Sequence, residues 1–247
     1  MQKRALPMLT ALLLALLLFS LPAEAAYRTG FKSSNIEVIS PSRSGLECEG
    51  FLTIEGRTSL ERVWFCLRGP SGEIITWPAA AQNGYFRTKA WLRYGPGIYT
   101  IWAGDNPRHF DGSIRFEAYN RGREDLRYLS PSPWVDSDNP EVIALANSLI
   151  RPEMTERERL LAIHDWVAAQ IAYDYAAYLR GESALVPASA TLKKRAGLCR
   201  DYAFLVAALA RALNMPARVI YGEVSEEGAR TRIHAWNEVY CEGRWVI

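Results

Sequence analysis

Histidine is scarce in this chain, with three among 247 residues. His109, in NPRHFDG, and His164, in AIHDWV, each lack a second His or Cys at metal-ligand spacing, so no metal centre is expected and neither histidine is read as a ligand. His109 reads as a solvated loop residue and His164 as a structural or surface one. An excess of either charge is lacking too: 29 Lys and Arg against 27 Asp and Glu leave a net charge of +2. Without a basic block, nucleic acid is not an expected partner. Long apolar runs are also missing. The longest, Leu9 to Leu21, has about 13 residues, short of the roughly 18 to 20 that cross a bilayer. Lys3 and Arg4 precede it and Ala23-Glu24-Ala25 follows, the form of a cleaved signal peptide spanning residues 1–25. The expectation is an exported protein, secreted or held in the cell envelope, with no stable membrane span after cleavage. No cysteine follows the run to support a lipid anchor.

Cysteine is limited to four residues, which in an exported chain are weighed first as disulfides. Cys48 and Cys66 could bridge within the N-terminal half. Cys199 and Cys241 lie in the C-terminal half.

Turn-formers are plentiful between residues 27 and 132. The segments GRTS, GPSG, AQNG, YGPG and GDNP separate candidate strands at 35–39, 51–55, 62–68, 73–77, 85–92, 97–103 and 112–119. Val63, Phe65 and Leu67 alternate with Trp64 and Cys66, the period of a strand with one buried face. This pattern predicts a β-sandwich-like domain over residues 27–132. It contains no catalytic cluster, so its expected role is scaffold or binding.

After SPSPWVDSDNP the period becomes helical. Asp138 or Asn139 can cap a helix starting at Pro140, with Val142, Leu145, Ala146 and Leu149 on one stripe. Thr155 and Glu158 form a capping box for a second helix. A third starts near Cys199, with Tyr202, Leu205, Val206, Leu209 and Leu213 on one face. Asn214 and Pro216 end it. A strand from Ala217 to Glu223, the polar turn SEEGART, a strand RIHAWNEVYC and the start of another in EGRWVI follow. Helices followed by an antiparallel sheet give an α+β order over residues 135–247.

A cysteine at a helix start can serve two ends. The free N–H groups there favour thiolate and would also face the oxyanion formed when an acyl carbon is attacked. Cys199 occupies such a place, Gly197 lets the backbone approach closely, and His234 is the only downstream histidine able to act as base. Spacing alone leaves the alternative open that Cys199 is a small buried apolar residue.

Residues 135 to 247 resemble the transglutaminase-like superfamily. The likeness rests on GLCRDYAFLVAALARALNMPARVIYG, HAWNEVYCEGRW, AIHDWVAAQIAYDY and TLKKRAGLC. It implies a papain-like α+β core with Cys199 as nucleophile and His234 as general base, acting on carboxamide or peptide bonds of a protein or peptide substrate, without a cofactor. Asp201 matches a recurring family position and is read as a helix-cap group, and Trp166 and Tyr173 become candidate cleft aromatics. The family's triad has a third member, an Asp roughly fifteen residues after the His that fixes the imidazole tautomer. Trp245, Val246 and Ile247 enter that segment and the sequence stops, so a chain truncated before the Asp is the expectation, with a degenerate family member as the alternative. Asn237 does not substitute, because three residues along a strand put it on the face opposite His234. The same alternation separates Cys241 from His234, and so from Cys199 if that thiol lies close to the imidazole, leaving Cys241 as a buried free thiol or an intermolecular liability. The alternative to an acyl-transfer enzyme is a non-catalytic cell-surface binding or scaffold protein that retains the fold.

Overall fold

The computed structural model describes residues 31–225 and 232–247. The signal-peptide reading of residues 1–25 and most of the SEEGART turn lie outside the described residues.

Eight strands make up the N-terminal half: β1 (Ile36–Ser40), β2 (Leu46–Cys48), β3 (Phe51–Thr58), β4 (Arg62–Arg68), β5 (Ile74–Gln82), β6 (Tyr85–Trp91), β7 (Gly97–Gly104) and β8 (Ile114–Asn120). They are hydrogen-bonded in the order β1-β3-β6-β5-β4-β7-β8-β2. The pattern in β4 is as expected, with Val63, Phe65 and Leu67 fully buried and Trp64 and Cys66 only partly so. Strand β5 makes the curl possible. It pairs with β4 along most of its length and with β6 only at Ala81 and Gln82, so the sheet turns a corner within one strand. The two flanks then face each other. Phe65 of β4 lies 5.7 Å from Phe86 of β6, and Phe31, just before β1, lies 5.1 Å from Phe116 of β8. The result is sandwich-like burial from one continuous ladder.

Two details differ from the sequence reading. Strand β2 was not expected, because LEC is too short to show a period, and it pairs in parallel with β8. The Cys48–Cys66 bridge does not form: both thiols are free. Strands β7 and β8 stand between β2 and β4, and three strand spacings come to about 14 Å, twice what a disulfide can span.

The C-terminal half contains α1 (Pro140–Leu149), α2 (Glu156–Gln170), β9 (Ala172–Tyr173), α3 (Tyr175–Leu179), α4 (Ala188–Lys194), β10 (Ala196–Gly197), α5 (Cys199–Ala212), β11 (Ala217–Val224), β12 (Arg232–Cys241) and β13 (Arg244–Val246). Asn139 caps α1, and the capping box of Thr155 and Glu158 is formed in both directions. The short α3, α4, β9 and β10 were not anticipated. Each is too brief to carry a recognisable period.

Helix α5 is buried on nearly every side, from Ala203 through Arg211 apart from Val206, and is not a one-sided amphipathic helix. Helices α1, α2 and α4 pack around it on one side and β11 and β12 on the other. Its alanines allow that close approach, while Leu205 and Leu209 fill the space between layers. Each fully buried leucine contributes about 1.5–3 kcal/mol. Leu205→Ala is expected to cost about 2–5 kcal/mol, read as a lower urea midpoint with little change in slope.

Candidate functional site

Cys199 is placed by a chain of local constraints. Helix α4 ends on Arg195, whose φ of 58° turns the chain out of the helix. Two residues of β10 then run parallel to β9, with the Asp174 N–H donating to the Gly197 carbonyl at 3.0 Å. Leu198 adopts extended geometry, and α5 begins at Cys199. Cys199 is therefore the first helical residue, in the turn whose N–H groups lack helical acceptors, and its side chain is half-buried.

Asp201 secures that start. Its Oδ2 accepts the Leu198 N–H at 2.8 Å, which is the capping role expected of it. A side-chain carbon at Gly197 would come within 2.6 Å of Asp201 Cβ, so glycine is required for the carboxylate to fold back over the chain. Asp201 is buried, and its second oxygen, Oδ1, has no hydrogen-bond partner among the described residues. It faces Arg200 Nε, also unpartnered, at 3.7 Å. The Arg200 Nη2 donates to the carbonyls of Glu182 and Ala184, both at 2.9 Å, and so fastens the loop after α3 to the start of α5. These groups line a cavity of about 270 Å³ together with Thr191, whose buried hydroxyl is likewise unpartnered. Three unsatisfied polar atoms around one cavity mark a place suited to water or a small polar group.

Two tyrosine hydroxyls share the electrostatic surroundings of Cys199. Burial raises the Tyr173 hydroxyl above its ordinary pKa, and the negative form of Cys199 adds to the rise. Tyr221 is raised by burial in the same way, with the Arg200 charge opposing and Cys199 adding. Both rings are thus close enough to feel the thiolate. Tyr173 was anticipated, whereas Tyr221 was missed because nothing in its strand distinguishes it. The other anticipated aromatic, Trp166, is covered by Arg195, whose guanidinium carbon lies 4.7 Å from its ring centre.

The Cα pairing sets His234 opposite Gly222, one rung from Tyr221 and Ala235. This brings the strand carrying His234 to the corner where Cys199 lies. It does not join the two side chains. Asn237 Nδ2 donates to the Ala203 carbonyl of α5 at 2.9 Å, so Ala235, Asn237 and Val239 form the face toward the helix. His234 is exposed and alternates with that set, sharing its face with Trp236 and Glu238. Asn237 and His234 do occupy opposite faces, as expected. Cys241 is buried and free, with its thiol pKa pushed up by burial. His109 is exposed, and His164 is exposed with its Nδ1 2.9 Å from Asp165 Oδ1. Among the described residues, no group of three or more His, Cys, Asp or Glu residues could hold a metal ion.

Asp201→Ala removes the acceptor of a buried N–H and leaves Arg200 without its acidic neighbour. It is expected to cost about 1–3 kcal/mol, seen as a lower thermal midpoint, together with a changed alkylation rate at Cys199.

Residues 143–247 match the model of the transglutaminase-like superfamily, a stretch that runs from α1 to the last strand and includes Cys199 and His234. The human kyphoscoliosis peptidase is 30% identical over 110 residues, which are 42% of this chain and 17% of that protein. The chain therefore spans about a sixth of that relative. Among solved structures, a candidate cysteine protease from Cytophaga hutchinsonii is 20% identical with a TM-score of 0.43, over 87% of this chain and 66% of its own. The periplasmic domain of TgpA from Pseudomonas aeruginosa is 17% identical with a TM-score of 0.37, over 82% and 70%.

Proposed function

Since residues 143–247 form a transglutaminase-like domain, we propose that the chain is an exported cysteine acyl-transfer enzyme whose substrate is a carboxamide or peptide bond of a protein, including proteins of the cell envelope. One observation carries this reading: Cys199 is the half-exposed first residue of α5, inside the matched segment. The Cys199 thiolate attacks the acyl carbon, and the N–H groups of the first helical turn face the developing oxyanion. His234 takes the thiol proton and gives it to the departing amine. The C–N bond breaks, a thioester at Cys199 remains, and water or an amine releases the acyl group with return of the proton to sulfur. For this, the end of β12 that carries His234 must twist so that the imidazole, now on the face away from α5, reaches the corner at Tyr221. The third member proposed is a carboxylate. Its role would be to hold the imidazole in the tautomer that accepts the thiol proton.

A second reading is favoured by the exposed position of His234: a binding or scaffold protein that retains the fold. Cys199→Ala separates the two. For the enzyme, this change lowers turnover of a glutaminyl or peptide substrate by about a thousandfold or more; for the scaffold, all measurable activity survives it. Alkylation by iodoacetamide followed by peptide mapping gives an independent check. Cys199 is expected to react before Cys48 and Cys241, whose thiols burial pushes up. Slower labelling of Cys199 than of these two would count against a nucleophile.

A further inference from the structure

The junction between the two halves holds a cavity of about 210 Å³, on the side of α5 away from its cysteine end. Its wall is unusual in charge. Arg93, Arg127, Arg211 and Arg218 line it, with Tyr94 and Tyr128, and among the described residues none of its lining groups is acidic. Two of the four arginines are neutralised from outside the wall. Arg127 pairs with Glu73 and Asp125, and Arg218 with Glu238. Among the described residues Arg93 and Arg211 form no ion pair, although Asp125, which pairs with Arg127, also feels the Arg93 charge.

Arg211 is 8% exposed and arrives from α5. Its Nε and Nη2 donate to the Ala217 carbonyl at 3.1 and 2.8 Å, and its Nη1 to the Ser130 carbonyl at 2.9 Å. These bonds use three of the five guanidinium N–H groups. Arg93 arrives from the other half, where its Nη1 donates to the Arg127 carbonyl at 2.9 Å and its Nη2 to the Tyr94 hydroxyl at 3.1 Å. Carbonyl and hydroxyl dipoles orient both cations, and for the buried Arg211 no carboxylate within ion-pair distance balances the charge, which is costly. Burial first, and the charge of Arg93 second, pull the Arg211 guanidinium down to about 9, so it is still charged at neutral pH.

We propose that this junction cavity binds a small oxyanion of carboxylate or phosphate type, held by Arg93 and Arg211 and so bridging the two halves of the chain. The guanidinium fork matches both oxyanions in a two-point contact. The volume admits an ion of a few heavy atoms with some water, and is below the range of pockets for larger organic ligands. The site is independent of the acyl-transfer reading, since none of its residues is part of the Cys199 corner.

The test titrates the full chain with inorganic phosphate and, separately, with acetate and citrate, by calorimetry in chloride buffer at constant ionic strength. The expected result is saturable binding that weakens at least tenfold in Arg93→Gln and is unchanged in Arg157→Gln, an exposed arginine of α2. Arg93→Lys, which keeps the charge and loses the fork, is expected to fall between. The phosphate and carboxylate arms tell which oxyanion the cavity prefers. Because Arg211 also ties the Ala217 and Ser130 carbonyls together, Arg93, which is less buried, is the residue changed, and circular dichroism verifies that each variant is folded. Absence of saturable binding in the wild type, or equal affinity in folded Arg93→Gln, overturns the proposal.

Discussion

The C-terminal half depends on the burial of α5. A helix enclosed on all sides must present small residues where backbones approach and larger ones where gaps remain. Ala203, Ala207, Ala208 and Ala210 meet the first demand and Phe204, Leu205 and Leu209 the second. With the helix axis fixed in this way, its first residue is fixed too. Cys199 cannot drift, because Asp201 ties the preceding turn, Gly197 leaves room for that tie, and Arg200 binds the loop after α3. The position of the thiol is thus a consequence of core packing several turns away.

The same helix anchors the two halves to each other. Its last turn supplies Arg211, which reaches the Ser130 carbonyl in the segment leaving the strand domain. Nearby, the Ala217 N–H donates to the Tyr128 carbonyl at 2.9 Å, and Trp134 packs against both cores. Arg218 stands over Trp245 and, more distantly, over Tyr128, joining the small sheet to the linker. Helix α5 therefore carries Cys199 at one end and interdomain contact at the other.

Much of this was legible from residue pattern. Period-two alternation located β4 with its ends, and caps at Asp138 or Asn139 and at Thr155 followed from side chains that accept backbone N–H groups, the first being Asn139 in the structure. The helix start at Cys199 was equally readable. Long-range arrangement was not. The corner in β5 arises from pairing with two different strands, a property of no single segment, and it converts an expected sandwich into one curled ladder. Helix α5 looked one-sided because alanine counts weakly in an apolar stripe, although the packed structure buries it on nearly every side. At the site, parity along β12 correctly separated Asn237 from His234. Parity could not tell which face meets α5, and the Asn237 bond to Ala203 shows that His234 is on the other. Tyr221 and the arginines of the junction were invisible for the same reason: their roles come from elements far apart in sequence.

The central claim is that Cys199 forms a covalent acyl intermediate. It is tested most directly by incubating the protein with a glutaminyl peptide, quenching in acid and mapping the acyl adduct by mass spectrometry. The account predicts a thioester on Cys199 that hydroxylamine removes and that is absent from Cys199→Ala. Turnover of the same peptide by Cys199→Ala at the wild-type rate, with no adduct on Cys199, would contradict it.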